Sequence, residues 1–290
     1  MGLWCYLGTN FLNMPFKTSP VFHIFDQQHQ EAKLLFLALG KQVKSKKAIE
    51  LQLKLEFLEL FADLMEKIDF ESQNQGNDLF SPFKSLKKAL RKTHHLKLVE
   101  GNLKSREEDS GLLYDSYRAY LLVQKRKIQK EAFELAVGSS LKIWDDFREK
   151  ALLASRGIKP LTINTAINQL VQEELESIHK ELKSPIHSQG FRDLFESLRK
   201  IIMLENLLIQ LGFNPIFVNS IHDEIAQLKE NLKPWYSNHL AFQTLSGFLA
   251  EKTSISKKYM EWIKELKEEK KSLSSEIEKQ AFSFLNKILV

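Results

Sequence analysis

Apolar residues recur three and four positions apart through nearly the whole chain, and short polar or glycine-containing breaks separate the runs. Asp26 is placed to cap a first helix with apolar positions Ala32, Leu34, Leu35, Leu37, Ala38 and Leu39, closing at Gly40. A second helix is predicted from Ser45 to about Asp69. Its apolar residues, from Ile49 through Leu51, Leu55, Leu58 and Phe61 to Met65, cover more than half its circumference, which predicts a central place in a bundle. Gln73 to Asp78 reads as a polar loop. Ser81 then offers an N-cap hydroxyl, Pro82 suits the first helical position and Gly101 suits the exit.

Glu107 to Gly111 interrupts the pattern, and Leu112 to about Val137 resumes it, with Tyr114, Tyr117 and Tyr120. Gly138-Ser139-Ser140 separates a further helix that ends at Gly157. Beyond Gly157-Ile158-Lys159-Pro160, Thr162 or Thr165 caps a helix to Leu182, and Phe191 to Leu211 is a strongly apolar one stopped by Gly212. Ser220 to Leu232 is expected to break at Pro234, with a new helix from Trp235 to about Glu251. From Ser254 onward one long helix of alternating charge carries a seam of Tyr259, Ile263, Leu266, Leu273, Ile277, Phe284 and Ile288. No alternating strand pattern appears, so the fold class is all-α. Leu86-Lys87-x-x-Leu90-Arg91-Lys92 is echoed by Leu228-Lys229-x-x-Leu232-Lys233-Pro234. The echo and the Gly157 break divide the chain into an extension over 1–25 and two similar helical bundles over 26–157 and 158–290.

Composition changes this picture little. The chain has 290 residues, 43% apolar and 27% charged, with a formal charge of +5. That is enough for a sizeable core but not the strongly basic balance of a dedicated DNA-binding protein. Cys5 is the single cysteine, which excludes an internal disulfide framework and a cysteine-based zinc site and fits a reducing, cytoplasmic setting. Residues 1–14 are uncharged but lack the layout of a secretory signal, and Met14 is an alternative start. No run approaches the roughly 18 apolar residues of a membrane span.

Candidate chemistry narrows to one stripe. On the helix after Ser81, Leu86, Ala89, Leu90, Thr93 and Leu96 share one side, while Lys84, Lys88, Arg91 and His95 lie within roughly 60° of one another on the opposite side. Several cations on one rigid element suit a polyanion, although a solvated outer face would have the same composition. Nothing points to catalysis or a cofactor. The glycines are isolated rather than clustered in a phosphate loop. Glu176 and His179 have the spacing of one half of a di-iron motif without a second copy. His94 and His95 diverge by about 100° on a helix and cannot chelate together. His222-Asp223-Glu224 belongs to the first turn of a helix, where acids favour the macrodipole. Trp144, Trp235 and Trp262 sit among apolar neighbours as core or interface residues.

Two stretches carry a family resemblance: Leu194-Phe-Glu-Ser-Leu-Arg-Lys-Ile-Ile-Met203, and Leu228-Lys-Glu-Asn-Leu-Lys-Pro-Trp-Tyr-Ser-Asn238. The chain resembles the conserved-histidine α-helical domain (CHAD) family, which is built from two similar four-helix bundles. The resemblance implies a non-enzymatic protein binding inorganic polyphosphate or a similar polyanion. Lys84, Lys87, Lys88, Arg91 and His95 would contribute from one half, and Arg199 and Lys200 from the other. Lys47 and Lys54 are retained, but Glu196 stands at the signature histidine, Met203 at a lysine, and Glu50 and Phe57 at arginine positions. An anion at the histidine position repels phosphate. The alternative expectation is a helical scaffold whose long C-terminal helix and aromatics meet a protein partner. A nucleic-acid partner is disfavoured, because the cations lack interleaved aromatics and a docking motif.

Overall fold

The structure is a computed structural model that describes residues 18–71 and 78–288; Cys5, Met14 and residues 73–77 of the polar loop lie outside them. In chain order the helices are α1 (Pro20–Leu39), α2 (Ser45–Glu71), a single 3-10 turn (Ser81–Phe83), α3 (Lys84–Ser110), α4 (Asp115–Gly138), α5 (Lys142–Ala154), α6 (Pro160–Glu181), α7 (Ser188–Gln210), α8 (Asn219–Ala250) and α9 (Lys257–Ile288). No strand occurs among the described residues, and the fold is all-α. No helix among them is long and apolar enough to cross a membrane.

Several boundaries differ from expectation. Ser81 lies inside the 3-10 turn, with Phe80 at its N-cap. α6 opens at Pro160 after Lys159, ahead of Thr162 and Thr165, because proline fits the first helical turn without a side-chain cap. α1 begins before Asp26, because Ser19 accepts the Phe22 amide on its hydroxyl at 3.3 Å and Pro20 follows at the first helical position. α3 runs straight through Gly101 and stops at Gly111, whose φ of 67° is the left-handed conformation that glycine adopts without strain. A glycine within a helix costs only about 1 kcal/mol, and burial of Val99 and Leu103 on either side of Gly101 offsets it. α8 likewise passes through Pro234. The proline faces solvent, where water can satisfy the carbonyl that lost its partner, while buried Leu232 and Trp235 hold the helix on each side.

Two apolar clusters form the core, and they do not divide at Gly157. The larger joins α1, α2, α5, α6 and α7 to the first turns of α3, the end of α4, the first half of α8 and the last half of α9. The smaller is assembled from the second half of α3, the start of α4, the second half of α8 and the start of α9. The ranges 26–157 and 158–290 therefore describe halves of the sequence, while the apolar interior crosses between them. α2 is central as its pattern predicts, touching α1, α3, α5, α6 and α7. α3 packs on α2, α4 and α8, so the side of α3 opposite its apolar stripe meets protein along much of its length.

Trp144 anchors the larger cluster. It is fully buried, its ring lies 4.7 Å from Phe83 and 5.2 Å from Phe36, and its carbonyl is 2.9 Å from His29 Nε2. Trp262 and Trp235 are core residues too, with the Trp235 indole donating to Ser274 at 2.9 Å. Trp144→Ala should remove about 3–5 kcal/mol of stability and lower the urea midpoint accordingly, followed by circular dichroism.

Candidate functional site

The sequence-predicted cations do converge, but not alone. α2, α3, α6 and α7 enclose a cavity of about 260 Å³ lined by Lys87, Arg91, Arg199 and Lys200 together with Glu56, Glu59, Asp63, Glu174 and Glu196. Five carboxylates thus face four cations. Gln52, Glu56, Glu59 and Asp63 lie within about 60° of one another on α2, so that helix turns an acidic stripe toward α3 and α7.

Three of the four cations are held in ion pairs. Arg199 binds both Glu56 and Glu196, and its side chain is 21% exposed against 4% for Glu56. Burial opposes the Arg199 charge, but Glu56, Glu196 and Glu59 outweigh it and hold the guanidinium pKa above its ordinary value. Lys200 reaches Asp63 and Glu174, each at 3.0 Å, and these carboxylates likewise raise its pKa against the effect of burial. Lys87, expected on a ligand-facing surface, is buried and paired with Glu59. Behind these pairs a polar relay continues: Gln52 donates to Glu56 at 2.6 Å, and His94 Nδ1 lies 3.1 Å from the Gln52 carbonyl oxygen, where only an N–H can pair.

Of the other expected residues, Arg91 reaches the cavity and the rest fall elsewhere. Lys84 is exposed at the start of α3, paired with Asp78 at 2.5 Å. Lys88 is exposed, and Lys54 pairs with Glu31 of α1. Arg91 lines the cavity and forms no ion pair among the described residues. His95 contributes no charge at neutral pH. Burial first, then the nearby Arg91, His94 and Arg192, push its pKa down to about 4, and its Nε2 sits 2.9 Å from the Tyr236 hydroxyl. The larger cavity of about 630 Å³, between α6 and the ends of α8 and α9, has Lys287 as its single charged lining residue, and Glu224 is paired with it at 2.7 Å. It offers no chemistry comparable to the central cavity. No group of three or more metal-ligating side chains occurs among the described residues. His222 instead pairs at 2.7 Å with Glu205, which is fully buried in α7 and also accepts the Phe217 amide at 3.2 Å.

This arrangement is an electrostatic joint between α2 and α7. Among its lining residues carboxylates outnumber cations. Arg199→Met should cost about 3–5 kcal/mol by leaving Glu56 buried without its cation, and Arg199→Met combined with Glu56→Leu should recover most of the loss in urea unfolding.

His239 resembles His95: burial, Lys270 and Arg192 lower its pKa to about 4. Both rings are neutral in the folded chain, and the unfolded chain takes up their protons as pH falls below 6.5. Stability that is full at pH 7 should therefore decline from pH 6.5 toward 4. Urea midpoints across pH 7.5 to about 5 should show this slope in the wild type and a shallower one in His95→Gln/His239→Gln. No family model matches this chain, and no curated protein matches it.

Proposed function

We propose that the chain is a non-enzymatic helical interaction protein, and that the outer face of α4 receives an acidic amphipathic helix from a protein partner. The observation that carries this reading is the pairing of Lys87, Arg199 and Lys200 with carboxylates in the central cavity, which leaves Arg91 as its one cation without an ion pair among the described residues while apolar surface stands open elsewhere. On α4, Leu122, Val123, Phe133 and Val137 are all exposed, at 39% or more. At about 100° per residue these four share an arc of roughly 100° with Arg126 and Lys130. Exposed Arg126 and Lys127 form no ion pair among the described residues. Lys130 reaches Glu134 at 3.7 Å, so the apolar stripe carries unpaired Arg126 within it and unpaired Lys127 beside it, which is complementary to a helix with leucines on one face and carboxylates near them. The long α9 helix, expected to supply a partner surface, buries Tyr259, Trp262, Leu266, Ile277 and Phe284 instead.

A second reading, binding of inorganic polyphosphate as the CHAD resemblance implies, keeps one observation in its favour. Lys88 and Arg91 lie one turn apart on α3, and neither has an ion pair among the described residues. Two titrations separate the readings. A model peptide of leucine and glutamate heptads should bind the wild type, and Leu122→Glu/Phe133→Glu should weaken it at least tenfold. Polyphosphate titrated at two salt concentrations should give no steep salt dependence. Salt-dependent polyphosphate binding lost in Lys88→Glu/Arg91→Glu, with no peptide binding, would replace the first reading by the second.

A further inference from the structure

Beside the ion-paired cavity, and sharing Arg91, Glu196 and Arg199 with it, lies a second cavity of about 170 Å³ where α2, α3, α7 and α8 meet. Its character is different. Leu98, Phe195 and Tyr236 form apolar walls, with the two rings stacked at 5.2 Å and 19°. His95 stands edge-on to Tyr236 at 5.6 Å and is neutral, so it extends the apolar lining rather than adding charge.

The charges around this cavity are unequally committed. Arg199 is held by Glu56 and Glu196, which also accounts for Glu196. Lys233 pairs with Glu230 at 2.5 Å. Arg91 alone among these lining cations has neither an ion pair nor a hydrogen bond among the described residues. Arg192 adds positive potential, since it acts with Arg91 on both His95 and Tyr236, and it too has no carboxylate partner there. A guanidinium offers a planar fork of donors that fits the two oxygens of a carboxylate. One open guanidinium beside aromatic and aliphatic walls selects a molecule with one anionic end and a flat apolar body. The volume falls below the 300–1,000 Å³ of pockets for drug-sized ligands, which limits the occupant to roughly ten heavy atoms. A long chain of phosphates satisfies none of these conditions.

We propose that this cavity binds a small planar organic carboxylate, its anionic end held by Arg91 and its flat body covered by Leu98, Phe195 and Tyr236. The walls come from both halves of the chain, so an occupant also ties α3 to α7 and α8 and stabilises the fold by mass action. The site stands apart from the α4 surface and does not depend on it.

Benzoate is a suitable probe, with benzamide as its uncharged isostere and acetate as an anion without a body. At constant ionic strength, benzoate should bind by calorimetry and raise the melting temperature, while benzamide and acetate should each bind at least tenfold more weakly. Arg91→Gln should weaken benzoate at least tenfold, with unchanged circular dichroism and no effect on benzamide. Benzoate should shift the Leu98 methyl resonances and leave those of Leu122 on α4 in place. Absence of benzoate binding to the wild type, binding indifferent to Arg91→Gln, or equal affinity for benzamide would each overturn the proposal.

Discussion

Arg199 stands between Glu56 of α2 and Glu196 of its own helix, and that contact ties the two halves of the chain together. Glu56 is nearly inaccessible to water, so neither partner is stable in place without the other. Lys200 on the same turn of α7 repeats the arrangement with Asp63 of α2 and Glu174 of α6. Lys87 of α3 does so with Glu59 of α2. Four helices are thereby registered on one acidic stripe. Replacing such a buried network by apolar residues can be neutral or stabilising, so its contribution lies in specifying which helix faces meet.

The apolar interior works with this joint. The start of α3 belongs to the larger core and its second half to the smaller one, and α8 and α9 are divided in the same way. Long helices that serve two cores couple them, because neither cluster can loosen without disturbing a helix that the other needs. Both cavities that hold Arg91 lie along α3, one of these shared helices. The polar residues at these gaps either pair with one another, as Arg199 does, or remain open, as Arg91 does.

Much of this is legible in the sequence. Helix class, the central place of α2, the breaks near Gly157 and Gly212, and the core tryptophans follow from periodicity alone. Gly101 and Pro234 misled, because their local preference for a break is worth only about 1–3 kcal/mol and flanking burial outweighs it. The candidate site was half visible. The cations on α3 and α7 are visible in the sequence, and the acidic stripe of Glu56, Glu59 and Asp63, continued by Gln52, has equally plain helical spacing but no local sign of what it faces. Those carboxylates interleave with a strongly apolar run, and helical period alone does not separate a solvated face from one that meets another helix.

By itself the sequence determined which residues share a helix face, because that depends only on a local rotation of about 100° per residue. It thereby settled the all-α class and gathered cations on α3 and α7 and anions on α2. Whether the faces of like or opposite charge would meet was decided only by the packing of α2, α3, α6 and α7, since pairing is a property of distance between elements remote in sequence. The same packing left Arg91 open while occupying Arg199, a difference between two arginines on amphipathic helices that no local pattern distinguishes.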